Sequence, residues 1–273
     1  MRWMKDSLNW LVSRNKGIDM RRRLLFVQPG RLGITQEFVT TDQHDSILAT
    51  AHYWFASLVT VRGGSLGFCD ARGLRRMNAE RFLLYLPAGS LVRMPLFAAK
   101  VETIGITASA TPPGWPEFAL AIPCDLAPED TLTESGLSSV LRSVPGDSHR
   151  IDAECGLPAR MRSLRRHLYA RALGPTPVGR VAMEHGLSLS VLSRTFNSAF
   201  GLSPRAYCQR VRVHAAAVSL FSGLSIAHVA LDSGWQDLSR FYRQFRSATG
   251  ETPGRYRSAG EARRMAVYGF NMR

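Results

Sequence analysis

The chain has 273 residues, 45% of them hydrophobic and 21% charged, which is enough apolar material for two ordinary domains. Its formal charge is +14, and nearly all of it sits in one place: residues 158–273 carry 18 Arg and no Lys against Glu184, Asp232, Asp237, Glu251 and Glu261, a net +13, while residues 1–157 net only +1. A polyanionic partner is therefore expected for the C-terminal segment alone, and the absence of any run of 18 apolar residues excludes a helical membrane span.

In chain order, Met1–Lys16 places Trp3, Leu8, Trp10 and Leu11 among polar residues, without the continuous apolar stretch and cleavage site of a signal peptide. It reads as a short amphipathic helix or an arm, and a cytoplasmic location is expected. Short strands with frequent turns follow: Leu24–Gln28, Gly33–Thr41, Tyr53–Val61, Leu66–Cys69, Arg81–Leu86, Leu91–Met94 and Val101–Thr107. Strands this short and this closely spaced predict an antiparallel sandwich or small barrel. Thr111–Pro116 is a Pro-rich break, Leu126–Val144 is weakly helical, and Pro145–Cys155 has the polar Gly/Pro composition of a linker. Tyr53, Trp54, Phe55, Phe68 and Tyr85 are the candidate lining of an effector cavity in this half, or else its plain core.

Cys69, Cys124, Cys155 and Cys208 are far apart and form no Cys-x-x-Cys pair, so reduced thiols are expected rather than a disulfide frame or zinc site. Only His44, His52 and His149 occur before residue 158, and none forms a His-x-His pair. Neither metal nor cofactor is expected. No Gly-x-Ser-x-Gly elbow, P-loop or Gly-x-Gly-x-x-Gly fingerprint appears, which argues against an enzyme.

After about residue 155 the period changes. Pro158–Leu173 spaces Met161, Leu164 and Leu168 as an amphipathic helix, and the pattern stays helical to about Arg257. The predicted fold class is thus α+β in two domains, a β-rich unit over 1–155 and an all-α unit over 156–273.

The second unit repeats itself. Val181-Ala182-x-x-x-Gly186 recurs 48 residues later as Val229-Ala230-x-x-x-Gly234, and Phe196-x-x-x-x-Gly201-x-Ser203-Pro204 recurs 49 residues later as Phe245-x-x-x-x-Gly250-x-Thr252-Pro253. Arg194 and Arg243 keep the same offset of 49. Blocks in register mark a duplicated supersecondary unit. Each copy has helix-turn-helix grammar: a helix closed by Gly, a cap, then a helix with one apolar face. Leu192, Phe196, Ala199 and Phe200 face inward in the first copy, and Leu238, Phe241, Tyr242 and Phe245 in the second. The opposite faces show Ser190, Ser193, Arg194 and Asn197, then Gln236, Ser239, Arg240, Arg243 and Ser247. Short polar groups with Arg are what base edges and phosphates require. Between the copies, Ser203-Pro204 opens a helix running to about Leu220, roughly 25 Å long at 17 residues.

These strings resemble the AraC/XylS family of bacterial regulators: Gly-Leu-Ser-x-Ser-x-Leu-Ser-Arg-x-Phe (Gly186–Phe196), Gly-Leu-Ser-Pro-x-x-Tyr (Gly201–Tyr207), Ser-Ile-x-x-Val-Ala (Ser225–Ala230), and a nearly ungapped second-copy signature from Gly234 to Arg257, with Trp235 where Phe is usual. The resemblance covers about Leu157–Arg257. It implies DNA contact through Ser190, Ser193 and Arg194 in one major groove and Ser239, Arg240 and Arg243 in the next. It also implies a transcriptional regulator of promoter sites in double-stranded DNA, activator more than repressor, working with RNA polymerase, and an N-terminal cupin-like barrel that dimerises or senses a small-molecule or protein effector. The alternative is the same DNA-binding module attached to an enzymatic or protein-interaction N-terminal domain.

Overall fold

The computed structural model describes residues 11–258 except 16–17, 29–30, 41–42, 71–72, 78–79, 98, 109–110, 125–132, 152–153, 155–156, 176 and 250; over 11–48 it describes the backbone. Most of Met1–Lys16 and all of 259–273 lie outside the described residues, and Leu11–Asn15 is a strand rather than part of a helix.

Among the described residues, twelve antiparallel strands make two sheets. In chain order they are β1 Leu11–Asn15, β2 Ile18–Gln28, β3 Arg31–Thr40, β4 Gln43–Ala49, β5 Trp54–Arg62, β6 Ser65–Asp70, β7 Gly73–Arg76, β8 Arg81–Leu86, β9 Leu91–Phe97, β10 Lys100–Ala108, β11 Ala119–Pro123 and β12 His149–Ile151. The large sheet runs β1-β2-β3-β10-β5-β8-β11-β12 and the small one β4-β9-β6-β7. The sequence reading merges or omits β1, β4, β7, β11 and β12. The last falls inside the stretch read as linker, where His149–Ile151 pairs with Ala119–Ala121.

Burial follows the two-residue period of the strands. In β8, Phe82, Leu84 and Leu86 enter a core shared with Phe68 of β6 and Val92 and Met94 of β9, between the two sheets. Leu83 and Tyr85 point the other way, joining Trp54, Trp115, Leu137 and Leu141 under helix α1, Glu134–Arg142. Both faces of this strand are covered, so its sequence is a continuous apolar run rather than an alternation.

Seven helices, α1 included, carry the remaining described helical segments named here: α2 Ala159–Ala170, α3 Pro177–Glu184, α4 Leu189–Phe200, α5 Pro204–Ser219, α6 Ile226–Asp232 and α7 Leu238–Thr249. Residues 253–258 add a last helical turn. The long helix α5 divides its faces between two cores. Tyr207, Cys208 and Val211 pack with Leu164, Leu168, Val181, Leu192 and Phe196. Val213, Ala216 and Ala217 pack with Val229, Phe241, Phe245 and Tyr256.

Capping sets the starts. Ser203 Oγ accepts from the Ala206 amide at 3.2 Å and Pro204 takes the first helical position, as the Ser-Pro pair predicts. Ser225 Oγ accepts from the His228 amide at 3.1 Å. Because α6 spans only 7 residues, it depends on that cap. Ser225→Ala is expected to lower stability by about 1 kcal/mol, read as a drop in the urea midpoint with an unchanged slope.

The two halves touch directly. The Ala51 amide donates to His214 Nδ1 of α5 at 2.9 Å, and the Tyr53 and Ser219 hydroxyls lie 3.1 Å apart. Ala51, Tyr53 and Leu91 join the core built by α2 to α5. The turn at Pro87–Ser90 meets α2, where Arg165 donates to the Gly89 carbonyl at 2.9 Å.

Candidate nucleic-acid interface

Each helix-turn-helix unit closes its first helix in the same way. In the first, the Gly186 amide donates to Met183 O at 3.1 Å and the Leu187 amide to Ala182 O at 2.8 Å. In the second, Gly234 donates to Leu231 O and Trp235 to Ala230 O, both at 2.9 Å. This is the Schellman arrangement, and it needs the left-handed φ that Gly186 (+61°) and Gly234 (+84°) supply.

The second helices start at positions 49 apart, Leu189 and Leu238. Ser188 Oγ caps α4 by accepting from Val191 N at 3.3 Å, and Asp237 Oδ1 caps α7 by accepting from Arg240 N at 3.0 Å. Matching Ser188 to Asp237 locates the extra residue of the second copy in the turn, at Trp235-Gln236. Gln236 is exposed but precedes α7, so it is not on the helix face assigned to it from sequence. A capping residue has to sit one position before the helix, which pushes Gln236 out.

Inward faces hold Leu192, Phe196 and Phe200 in α4, and Phe241, Phe245 and Thr249 in α7. Leu238 is 45% exposed, against its expected burial, and Leu189 is 48% exposed at the matching position. Side chains in the first helical residue lean toward the helix N-terminus, beyond the edge of the core. Ala199 and Tyr242 are half-buried. On the outer faces Ser190, Arg194, Asn197, Ser239, Arg240 and Arg243 are exposed, while Ser193 is half-buried. The guanidinium groups of Arg194, Arg240 and Arg243 meet no carboxylate among the described residues, whereas Arg171 is paired with Glu184 at 2.9 Å. Among the described residues no carboxylate offsets their charge.

The five aromatic residues proposed to line an effector cavity do not converge. Tyr53 packs edge-on to His214, with ring centroids 5.8 Å apart, at the junction of the halves. Trp54 and Tyr85 enclose Trp115 at 4.9 and 5.6 Å, Phe68 lies in the inter-sheet core, and half-buried Phe55 packs against that core and against the core of the second helix-turn-helix unit. Trp54 and Phe55 are consecutive in β5 and face opposite sides of the sheet, so they cannot share one cavity wall. Among the described residues, no group of three His, Cys, Asp or Glu is placed to hold a metal ion.

Asp237 enters the sequence reading only as charge, although its place after a Gly-closed turn marks it as a cap. Arg205 stands exposed in the first turn of α5, beside the Ser-Pro signal.

Comparison with known proteins agrees with this geometry. A family profile described as "Helix-turn-helix domain" matches residues 181–259. The chain is 40% identical over 78 residues to the transcriptional activator NphR of Rhodococcus sp., covering 28% of this chain and 23% of that protein. It is 35% identical over 75 residues to the HTH-type transcriptional regulator ExsA of Pseudomonas aeruginosa, covering 27% of each. The matches thus span about a quarter of those relatives' lengths. Among solved structures, the DNA-binding domain of AdpA in complex with a target DNA is 26% identical at a TM-score of 0.36, covering 38% of this chain and 95% of that one. ToxT from Vibrio cholerae is 14% identical at a TM-score of 0.38, covering 80% and 98%. Residues 181–259 of this chain are a helix-turn-helix domain of the AraC/XylS type.

Proposed function

We propose that the chain is a sequence-specific transcriptional regulator that inserts α4 and α7 into successive major grooves of double-stranded promoter DNA. The observation that carries this is the pair of units on one connecting helix, each turning outward Arg side chains that meet no carboxylate among the described residues. A helix of 16 residues is about 24 Å long, a length suited to bridging units that address grooves about 34 Å apart on one face of the duplex. In this reading Arg194 serves the first groove, with Ser190, Ser193 and Asn197 around it. Arg240 and Arg243 read guanine edges or hold phosphates in the second, flanked by Ser239 and Gln236.

Activation rather than repression is the reading favoured by the relatives named as transcriptional activators, and RNA polymerase is the partner that reading implies. We assign 156–273 to DNA binding and 1–155 to dimerisation or to sensing a small-molecule or protein effector, in a cytoplasmic protein. The test is selection of binding sequences from a random duplex pool at two salt concentrations. Two enriched blocks about 10 base pairs apart that survive the higher salt support the assignment; no enrichment at either salt refutes it for the chain acting alone. Arg243→Ala is expected to weaken specific binding by about 1–3 kcal/mol and relax preference at one or two base pairs of one block. An unchanged selected motif removes Arg243 from base reading.

A further inference from the structure

A cleft of about 500 Å³ lies between the two helix-turn-helix units. Its rim includes Leu189, the first residue of α4, and Arg240 in the first turn of α7; Arg205, Gln209 and Arg212 of α5 and the Trp235 ring line the rest. Because recognition helices meet base edges through their N-terminal residues, a cleft bordered by the starts of both opens toward the duplex.

We propose that this cleft seats the sugar–phosphate backbone of the DNA where it crosses between the two recognition helices, with Arg205 of the connecting helix as a phosphate ligand. The inference rests on the proposed function and adds a contact on neither recognition helix. Two helices in successive major grooves must straddle the minor groove between them, and that groove is edged by phosphates.

The charges suit such a guest. Arg205, Arg212 and Arg240 surround the cleft against Asp237 alone, whose carboxylate is engaged in capping α7. Arg212 is fixed in place: its guanidinium donates to Ala172 O at 2.6 Å and Gly174 O at 2.7 Å and lies 5.7 Å from the centroid of the Trp235 ring. It supplies a steady positive field without reaching outward. Arg205 is exposed and makes no hydrogen bond or ion pair with any described residue.

Its position is also locally unfavourable. Arg205 directly follows Ser203-Pro204 in the first turn of α5, which holds no acidic residue, so its charge faces the positive end of the helix dipole. Among the described residues no carboxylate or carbonyl partner repays that placement, and such local violations gather at functional positions. A bound phosphate would reverse the penalty, since it neutralises guanidinium and helix terminus together.

The test uses the full chain, the selected duplex and a scrambled duplex, with affinities measured across a salt series. Arg205→Ala is expected to weaken binding to both duplexes by a similar factor and to reduce the slope of log K against log salt by about 1. Arg205→Lys should restore the slope. The melting temperature of Arg205→Ala should be equal to the parent's or higher, because a cation has left the helix start; this separates lost contact from lost folding. An unchanged salt slope overturns the proposal. So does a reduced slope accompanied by altered preference at base pairs between the two blocks, which would put Arg205 in the minor groove as a reader. If the parent chain binds neither duplex, the proposed function itself fails, and this contact with it.

Discussion

Gly234→Ala is expected to destabilise the protein by about 3 kcal/mol, whereas Gly186→Ala, at the matching position of the first unit, costs only about 1. Both glycines hold a left-handed φ that L-residues resist, at about 1–2 kcal/mol. Their surroundings differ. A Cβ on Gly186 meets nothing within 4 Å, but one on Gly234 falls 2.4 Å from Leu173 O and 2.7 Å from its carbonyl carbon. That obstacle is backbone. It cannot swing aside, because Arg212 holds the flanking carbonyls of Ala172 and Gly174. Overpacking of this kind adds about 1–3 kcal/mol. The contact also sets how the second unit sits against the segment leading into the first. Gly234→Ala is therefore expected to reduce specific DNA affinity in the folded fraction as well, by changing the spacing of α4 and α7. Urea melts of both variants, with binding measured at saturating folded protein, check this. Equal small losses at the two positions would show that the close approach to Leu173 is not maintained in solution.

Arg165→Ala is the second large effect, at about 3 kcal/mol. This side chain is mostly enclosed, 13% exposed, at the meeting point of three segments. It forms a close ion pair with Glu154, donates to Gly89 O at 2.9 Å, and lies 3.4 Å from the Tyr207 hydroxyl. Glu154 precedes the helical half, Gly89 belongs to a turn of the sheets, and Tyr207 is at the centre of the first helical core. Burial pushes the Tyr207 phenol up to about 12, with the Arg165 charge opposing, so the hydroxyl stays protonated at any physiological pH. Removing Arg165 takes the close ion pair from the Glu154 carboxylate in a site only partly open to water, and takes its guanidinium donor from the Gly89 carbonyl. The double variant Arg165→Met with Glu154→Leu is expected to recover most of the loss, because no unpaired charge remains. Thermal melts decide it: a single variant that melts like the parent would mean that the junction is not clamped here.

How much of this was legible beforehand varies along the chain in a physically sensible way. The helical half was read nearly to the residue, since each of its elements is set by local chemistry. Ser203 and Ser225 were identifiable as caps, Gly186 and Gly234 as left-handed closures, and the apolar spacing of Phe196 and Phe245 as the inner faces. The errors there fall at helix starts, where Gln236 lost its place on the helix to the capping role of Asp237 and Leu238 projects past the core. In the β-rich half, strand existence was legible where aromatic and branched residues cluster, as in β5 and β8. Short strands such as β12 were not, because three residues become a strand only through their partner in β11. The five aromatic residues divide among separate cores for the same reason: adjacency in sequence is separation across a sheet.

The sequence by itself determined the duplication, the two helix-turn-helix units, the charge that calls for a polyanion, and the outward placement of Arg194, Arg240 and Arg243. The duplication and the charge are read directly from residue order, and the helices, turns and outward faces depend on neighbours within a few residues of the chain. Only the tertiary structure decided which of two equivalent glycines is irreplaceable, that Arg165 clamps the halves together, and that Arg205 and Arg240 border one cleft. These follow from approaches between segments distant in the chain, 61 residues in the case of Leu173 and Gly234. A repeat in sequence constrains each copy alike, but the two copies face different neighbours.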